Sequence, residues 1–135
     1  MSDNKNLSVF KMGEPLPEMF SKYFIGNAHL NMLTTEGVSI GNVTFEPGCR
    51  NNWHIHHKGG QILLVTGGRG YYQVWGEEAR ELKAGDVVNI PAEVKHWHGA
   101  KKDSWFSHIA VECPGENCKN EWCEPVADEE YDLSL

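Results

Sequence analysis

The sequence contains no run of apolar residues long enough to cross a membrane, and it is poor in basic side chains. It carries 12 Lys and Arg against 19 Asp and Glu, a formal net charge of -7. A membrane span needs about 18 or more apolar residues, and binding to nucleic acid or anionic lipid needs clustered basic residues. We therefore expect neither a membrane nor a nucleic-acid partner. Residues 1–6 also lack the apolar core of a signal peptide, which predicts a cytoplasmic location.

Internal repeats, low-complexity segments and long amphipathic helices are missing as well. With 135 residues and 15.2 kDa, the chain has the size of one domain. The one helical candidate is 126–133, where acidic residues in the first turn favour the helix dipole. We predict an N-terminal arm over 1–22 with at most one strand, a β-barrel over 23–125, and a C-terminal tail over 126–135 that carries this short, peripheral helix.

What the sequence does contain is a series of short alternating or β-branched segments, a pattern typical of strands. These segments cover residues 27–34, 38–46, 53–57, 61–67, 69–75, 80–83, 86–90, 95–99 and 104–112. Between them lie turns with the glycines that tight connections need, at 46–48, 58–60, 66–70, 76–78 and 84–86. The pattern predicts an all-β fold, either a meander or a Greek-key barrel.

A group of histidines is the strongest chemical signal. Residues 54–57 read His-Ile-His-His, and side chains at positions i and i+2 of a strand point to one face about 6.5 to 7 Å apart. His54 and His56 can therefore converge on one ion, whereas His57 points to the other face and is interpreted as a surface residue. After two glycines, Gln61 opens the next strand, where its amide oxygen can reach the same ion.

A second histidine pair, His96 and His98, supplies the fourth ligand through His96. It follows a glycine turn, a strand and the fixed bend of Pro91. One such pair alone is also compatible with two solvated histidines on a strand. Two pairs in a predicted barrel favour metal binding.

The four cysteines are interpreted as free thiols of a reducing compartment. Cys113, Cys118 and Cys123 raise the alternative of a zinc site, but structural zinc sites use four ligands with closer pair spacing. Cys49, beside the first histidine pair, could be sensitive to oxidation.

These histidines lie in segments that resemble the two sequence motifs of the cupin family. The first segment is Gly48-x5-His54-x-His56-x4-Gln61-x6-Gly68, and the second is Gly85-x5-Pro91-x4-His96. The chain departs from the family pattern in having Gln61 where most cupins carry Glu, Glu93 where Gly is usual and Ala100 where Asn is usual. The last two departures affect a turn and a position that is not a ligand.

A narrower resemblance extends over nearly the whole chain. Residues 40–48, 61–66, 95–100 and 107–110 resemble small bacterial cupins that include manganese-dependent hydroxynitrile lyases. The resemblance implies a single-domain cupin barrel, also described as a double-stranded β-helix or jelly roll. It implies a homodimer or higher homo-oligomer. It also implies His54, His56, Gln61 and His96 as metal ligands and His108 as a nearby acid or base.

Outside the metal ligands, the roles of individual residues have competing interpretations. Strand alternation places His108 on one face of its segment, but either face can be the inner one, and a lone strand histidine can be structural. His98 can contact substrate or lie at the rim of the barrel. If Phe45 points inward, Gly41 and Val43 line a substrate pocket, although Gly41 can equally mark a bulge.

The leading functional hypothesis is a metal-dependent lyase acting on a small carbonyl or cyanohydrin-type substrate. Three imidazoles and a neutral amide leave the ion its full +2 charge, which makes it a stronger Lewis acid. We expect Mn or Fe in the cell, with Zn or Ni possible after purification. His108 would move the proton and produce a pH–rate limb in the histidine range. The alternatives are a dioxygenase and a non-catalytic small-molecule-binding cupin.

Overall fold

Twelve strands and two short helices occupy residues 7–132, the part of the chain that this computed structural model describes. Residues 1–6 of the predicted arm and 133–135 of the predicted tail lie outside the described residues. The strands are β1 (Glu14–Pro15), β2 (Phe24–Ile25), β3 (Ala28–Thr34), β4 (Ile40–Phe45), β5 (Arg50–Asn51), β6 (His54–His57), β7 (Gln61–Val74), β8 (Arg80–Lys83), β9 (Val87–Ile90), β10 (His96–Ala100), β11 (Phe106–Glu112) and β12 (Lys119–Trp122). The helices are α1 (Glu18–Ser21) and α2 (Asp128–Asp132).

The strands form one curled, antiparallel sheet. Its order is β1-β3-β4-β11-β7-β10-β5-β2, with β8 and β9 also paired to β7, and with β6 lying between β10 and β12. The fold is therefore all-β, as predicted, and forms a single curled half-barrel domain. Within residues 7–132, neither helix is long and apolar enough to cross a membrane.

The long strand β7 corrects the prediction of two separate strands at 61–67 and 69–75. Its first half pairs with β9 and β11, and its second half pairs with β8 and β10. The change of partner occurs at Gly67 and Gly68, opposite a register shift between Ser107 and His108. Gly68 has φ +74°, and a Cβ there would lie 1.8 Å from the carbonyl oxygen of Trp105. The glycines thus follow a bulge at Thr66 within one continuous strand, and no turn separates two strands there.

Three short strands, β2, β5 and β12, and helix α1 were not predicted, whereas β1 is the one strand allowed for in the N-terminal arm. Strands β1, β2 and β5 have two residues each, too few to show alternation, while β12 follows a segment rich in Cys, Pro and Gly. Helix α1 begins after Pro17, where proline is compatible with a helix start. Short elements of this kind depend on pairing with the sheet more than on their own sequence.

The C-terminal helix was predicted to be peripheral, but it is anchored to the barrel. Val126 and Tyr131 are buried at 0% and 1% exposure. The Tyr131 hydroxyl donates to the backbone oxygen of Ala100, and the guanidinium of Arg50 lies 4.3 Å from the Tyr131 ring. Arg50 also donates to Asp128 at 2.7 Å. The tail therefore packs against β5 and against β10, the strand that carries His96 and His98.

Candidate metal centre

Three of the four predicted ligands meet inside the barrel. His54 and His56 lie on β6, and His96 lies on β10 directly opposite His54. All three side chains are buried, and one ring nitrogen of each lies within 4.8 Å of those of the other two. Their convergence follows from the i, i+2 spacing on one strand and the antiparallel pairing with the next.

The hydrogen bonds of these rings leave one nitrogen of each available. Nδ1 of His54 lies 2.8 Å from the backbone oxygen of Asn52, and Nδ1 of His96 lies 2.9 Å from that of Val94. Nδ1 of His56 lies 2.7 Å from Oδ1 of Asn120.

Because carbonyl oxygens only accept, each Nδ1 carries the proton and each Nε2 presents a lone pair. Nε2 of His56 and Nε2 of His96 are buried without a hydrogen-bond partner among residues 7–132. This donor set fits a transition-metal ion.

Burial keeps the rings of His54 and His96 neutral. It lowers the pKa of His54 well below its usual range, and the neighbouring His96 lowers it further. Burial likewise lowers the pKa of His96 to about 4. A neutral imidazole is the form that binds metal, so these rings need not lose a proton near neutral pH before an ion enters.

Gln61, the fourth predicted ligand, opens β7 and is 9% exposed. Its amide nitrogen donates to the carboxylate of Glu112, its cross-strand neighbour on β11. Its oxygen, Oε1, is buried and has no hydrogen-bond partner among the described residues. An unsatisfied buried carbonyl is costly, and a cation would satisfy it.

His57 points away from these ligands, as its place on the strand predicts, but it is not an isolated surface residue. Its two ring nitrogens contact the carboxylates of Glu121 and Glu93. These contacts raise its pKa, with that to Glu121 the larger. Glu93 has φ +70°, a conformation that favours the glycine usual here. The Glu93 carboxylate accepts a hydrogen bond from the backbone N–H of Lys58 at 2.8 Å. Glu93 thus also stabilises the hairpin that carries the histidines.

Two further histidines continue the cluster. The His98 ring lies 5.9 Å from that of His54 and 5.0 Å from that of His108, centre to centre. His98 contacts the amide of Asn51 and stacks on Phe45. His98 is only 5% exposed. It therefore lies inside the barrel and not at its rim.

His108 lies on the inner face of β11 and is 1% exposed. In the described part of the chain, neither of its ring nitrogens has a hydrogen-bond partner. Burial lowers the pKa of His108 to about 3, against a smaller opposing effect of the Ile109 backbone. The ring is therefore neutral near pH 7, with both nitrogens available.

An apolar pocket of about 180 Å³ adjoins the histidine cluster. It is lined by Leu16, Phe20, Phe24, Leu30, Val43 and Trp122. The Trp122 ring lies 4.8 Å from that of His54, and Val43 pairs with His108 across the strands. Two of its lining residues thus adjoin the histidines, Trp122 beside His54 and Val43 beside His108.

Gly41, predicted to leave space for a ligand, does not line this pocket. A Cβ at this position would lie 3.0 Å from Cδ1 of Leu30 and 3.2 Å from Sδ of Met32. The room beside the glycine is therefore filled by these two side chains.

The cysteines do not form a metal group with other residues. Within residues 7–132, the only cluster of His, Cys, Asp and Glu suited to a metal is that of the three histidines. All four cysteines are free. Cys49 is fully buried, and burial raises the pKa of its thiol to about 12, which disfavours the reactive thiolate.

Three residues of the site were not identified from the sequence. Asn120 and Trp122 belong to β12, which pairs with the histidine strand β6. The only sequence signal for these two residues is their i, i+2 spacing, a polar acceptor followed by an aromatic residue. This pattern is too short to identify a strand unless the partner strand is known. Glu112 ends β11, and only the register with β7 reveals its contact with Gln61.

Comparison with known proteins gives consistent results. Residues 41–111, more than half of the chain, match the cupin domain family. A protein named (R)-mandelonitrile lyase, from Granulicella tundricola, is 42% identical over 94 residues, which are 70% of this chain and 71% of that protein. The crystal structure of a cupin-like protein from Thermotoga maritima is 41% identical, with a TM-score of 0.86 over 94% of this chain and 96% of that chain.

A more distant structure shares only the fold. A cupin 2 conserved barrel domain protein from Rhodopseudomonas palustris has a TM-score of 0.66 at 16% identity, over 78% of this chain and 74% of that chain.

Proposed function

The chain belongs to the cupin domain family, and on that premise we propose that it is a metal-dependent lyase acting on a small cyanohydrin or carbonyl compound. The observation that carries the proposal is the arrangement of His54, His56 and His96, whose Nδ1 atoms are hydrogen-bonded and whose Nε2 atoms converge. The name of the relative from Granulicella tundricola supports the reaction class.

His54, His56, His96 and the amide oxygen of Gln61 would hold one divalent ion. Mn or Fe would be the cellular metal, and Zn or Ni could replace it during purification because affinity for such sites rises towards copper. When bound, the ion would act as a Lewis acid on a hydroxyl or carbonyl oxygen.

His108 would move the proton. Breaking the bond between the carbinol carbon and the nitrile of a cyanohydrin yields an aldehyde and hydrogen cyanide. The hydroxyl proton must leave and a proton must reach the cyanide. A neutral imidazole with two unpartnered nitrogens can accept the first proton and return it to the leaving group. His98, which lies between His108 and His54, would contact the polar part of the substrate.

The apolar pocket would hold the substituent of the substrate. Its walls offer two phenylalanines, a tryptophan and aliphatic side chains, and no charged group. Val43 and Trp122 join it to His108 and His54. A substituent of a few carbons up to one ring fits a volume of about 180 Å³.

The expected pH–rate limb in the histidine range needs revision. Burial lowers the pKa of His108 to about 3. A rate governed by protonation of this ring in the free enzyme would therefore stay level between about pH 8 and pH 5, falling only at more acidic pH.

A homodimer or higher homo-oligomer in the cytoplasm completes the proposal. Leu64 and Val87 are cross-strand partners on the outer face of β7 and β9, with exposures of 39% and 56%. Neighbouring exposed apolar side chains on a sheet favour association with a second copy. A mass of one chain in light scattering at micromolar concentration would contradict the assembly.

Metal analysis and an anaerobic substrate screen test the proposal together. The purified wild-type protein should hold one metal ion per chain and, with Mn²⁺ and without oxygen, cleave mandelonitrile or a related cyanohydrin. His54→Ala/His56→Ala should bind no metal and show no activity, whereas His57→Ala should retain both, since His57 faces away from the ligands.

Undiminished metal content in the double variant would refute the site. Oxygen uptake with Fe²⁺ would identify a dioxygenase instead. Metal-dependent binding of the same compounds without turnover would identify a binding protein.

A further inference from the structure

Within residues 7–132, the contact between Gln61 and Glu112 is the one place where an acidic side chain is hydrogen-bonded to a proposed ligand. The two residues face each other across β7 and β11, where both strands reach the same end of the sheet. The Gln61 amide nitrogen donates to Oε2 of Glu112. Gln61 is buried at 9% exposure and Glu112 is partly buried, so the contact is shielded from water.

This contact decides which end of the amide is available. A carboxylate has only acceptors, so the amide atom that faces Glu112 must be the nitrogen. The oxygen of Gln61 then points the other way and, in the structure, is buried without a partner. A glutamine without such a neighbour could present either end to an ion, and an NH₂ group cannot act as a ligand.

The contact also bears on charge. His54, His56 and His96 are neutral imidazoles, and Gln61 is a neutral amide, so the ligand set carries no negative charge. The carboxylate of Glu112 lies one hydrogen bond behind the amide and polarises its carbonyl towards an ion. Metal ligands oriented by a carboxylate in this way bind more tightly.

We propose that Glu112 is a positioning residue of the metal centre, which turns the Gln61 oxygen towards the ion and supplies the negative charge that the ligand set lacks. This inference rests on the proposed metal site and assigns a role to a residue outside its ligands. Gln61 and Glu112 then act as a pair, and one carboxylate in the pair is enough to supply the negative charge.

The test measures the affinity for Mn²⁺ alone, by chelator competition with the metal-free protein. Glu112→Gln still offers a hydrogen-bond partner to the Gln61 amide, but it removes the negative charge and no longer fixes which end of the amide faces the ion. It should therefore weaken Mn²⁺ binding about 10- to 100-fold. Glu112→Asp should retain part of the affinity. Glu46→Gln is the matched control, because Glu46 also bonds a buried histidine, His29, that is not a proposed ligand. It should leave the affinity unchanged.

A double-mutant cycle tests whether the two residues act as a unit. Gln61→Glu places a second carboxylate beside Glu112 in the wild-type background, but restores the single carboxylate in the Glu112→Gln background. The gain in affinity from Gln61→Glu should therefore be about tenfold larger in the second background. Thermal melting of the metal-free variants separates lost affinity from lost folding.

Each outcome decides between the alternatives. Wild-type affinity in folded Glu112→Gln, or an equal effect of Gln61→Glu in both backgrounds, would overturn the role of Glu112. If Glu112→Gln does not fold, wild-type affinity in folded Glu112→Asp together with equal effects in the cycle would overturn it as well. Failure of the wild-type protein to bind Mn²⁺ would refute the metal site itself.

Discussion

The histidines on β6 and β10 that converge on one point differ from His108 on β11 in how their rings are hydrogen-bonded. In each of His54, His56 and His96, Nδ1–H donates a hydrogen bond to a carbonyl oxygen. This bond fixes the orientation of the ring and directs Nε2 towards the other two rings. His108 is equally buried, yet both of its nitrogens lack a partner. A fixed tautomer suits a metal ligand, whereas a proton carrier must use either nitrogen. Under the proposed function, the same residue type would thus serve two purposes according to its neighbours.

Replacing His108 tests its proposed role in proton transfer. His108→Gln should lower turnover by about 10² to 10⁴, the contribution of a positioned acid or base, because glutamine cannot take up the proton. Metal content should remain one ion per chain, since His108 is outside the converging set. Turnover and metal analysis on the same preparation provide the measurement.

His57→Gln is the control for this variant, because His57 is a histidine of the same hairpin that faces away from the ligands. Its turnover and metal content should match the wild-type values. Loss of metal in His108→Gln would make His108 a ligand, and wild-type turnover would leave it a structural residue.

The burial of His108 should also make the stability of the metal-free protein depend on pH in acid. Burial lowers the pKa of His108 in the folded chain to about 3, while the unfolded chain has the ordinary value of 6.5. Below about pH 6.5 the unfolded chain binds a proton that the folded chain refuses, so the free energy of unfolding falls as pH falls towards 3. Between pH 7 and pH 5, one such group accounts for about 2 kcal/mol.

His108→Gln should therefore lose about 2 kcal/mol less than the wild-type protein between pH 7 and pH 5 in urea unfolding of metal-free samples. His57→Gln should not reduce the loss, because the pKa of His57 is raised and its protonation stabilises the folded state in acid. Equal losses in wild-type and His108→Gln would show that the ring is not held neutral by burial.

The two kinds of histidine also differ in how far the sequence predicts them. The period of two along a strand places His54 and His56 on one face, and the glycine and proline signals around His96 place it on a neighbouring strand. This reasoning depends only on local geometry. It predicted the all-β fold and the group of three histidines.

The hydrogen bonds that distinguish one histidine from another are not local. The acceptor of His56 is Asn120, 64 positions away on β12, and the carboxylate behind Gln61 is Glu112, 51 positions away. Both contacts depend on strand register, which short or irregular segments do not reveal. The anchoring of α2 through Tyr131 and Arg50 was missed for the same reason.

The smallest expected effect concerns Asn120, which supplies the one side-chain acceptor among the three ligand rings. Asn120→Leu would leave Nδ1 of His56 without a partner, the state of both nitrogens in His108. Metal affinity should fall about tenfold, the lower end of the usual range, because Asn120 is exposed and water can partly replace it.

Asn120→Asp should bind metal at least as tightly as wild type, since a carboxylate makes the imidazole more basic. Glu121→Gln, on the same strand but bonded to His57, should not change the affinity. The measurement is chelator competition for Mn²⁺. If Asn120→Leu, Asn120→Asp and Glu121→Gln all bind Mn²⁺ like the wild type, a fixed tautomer does not distinguish the ligand rings from His108.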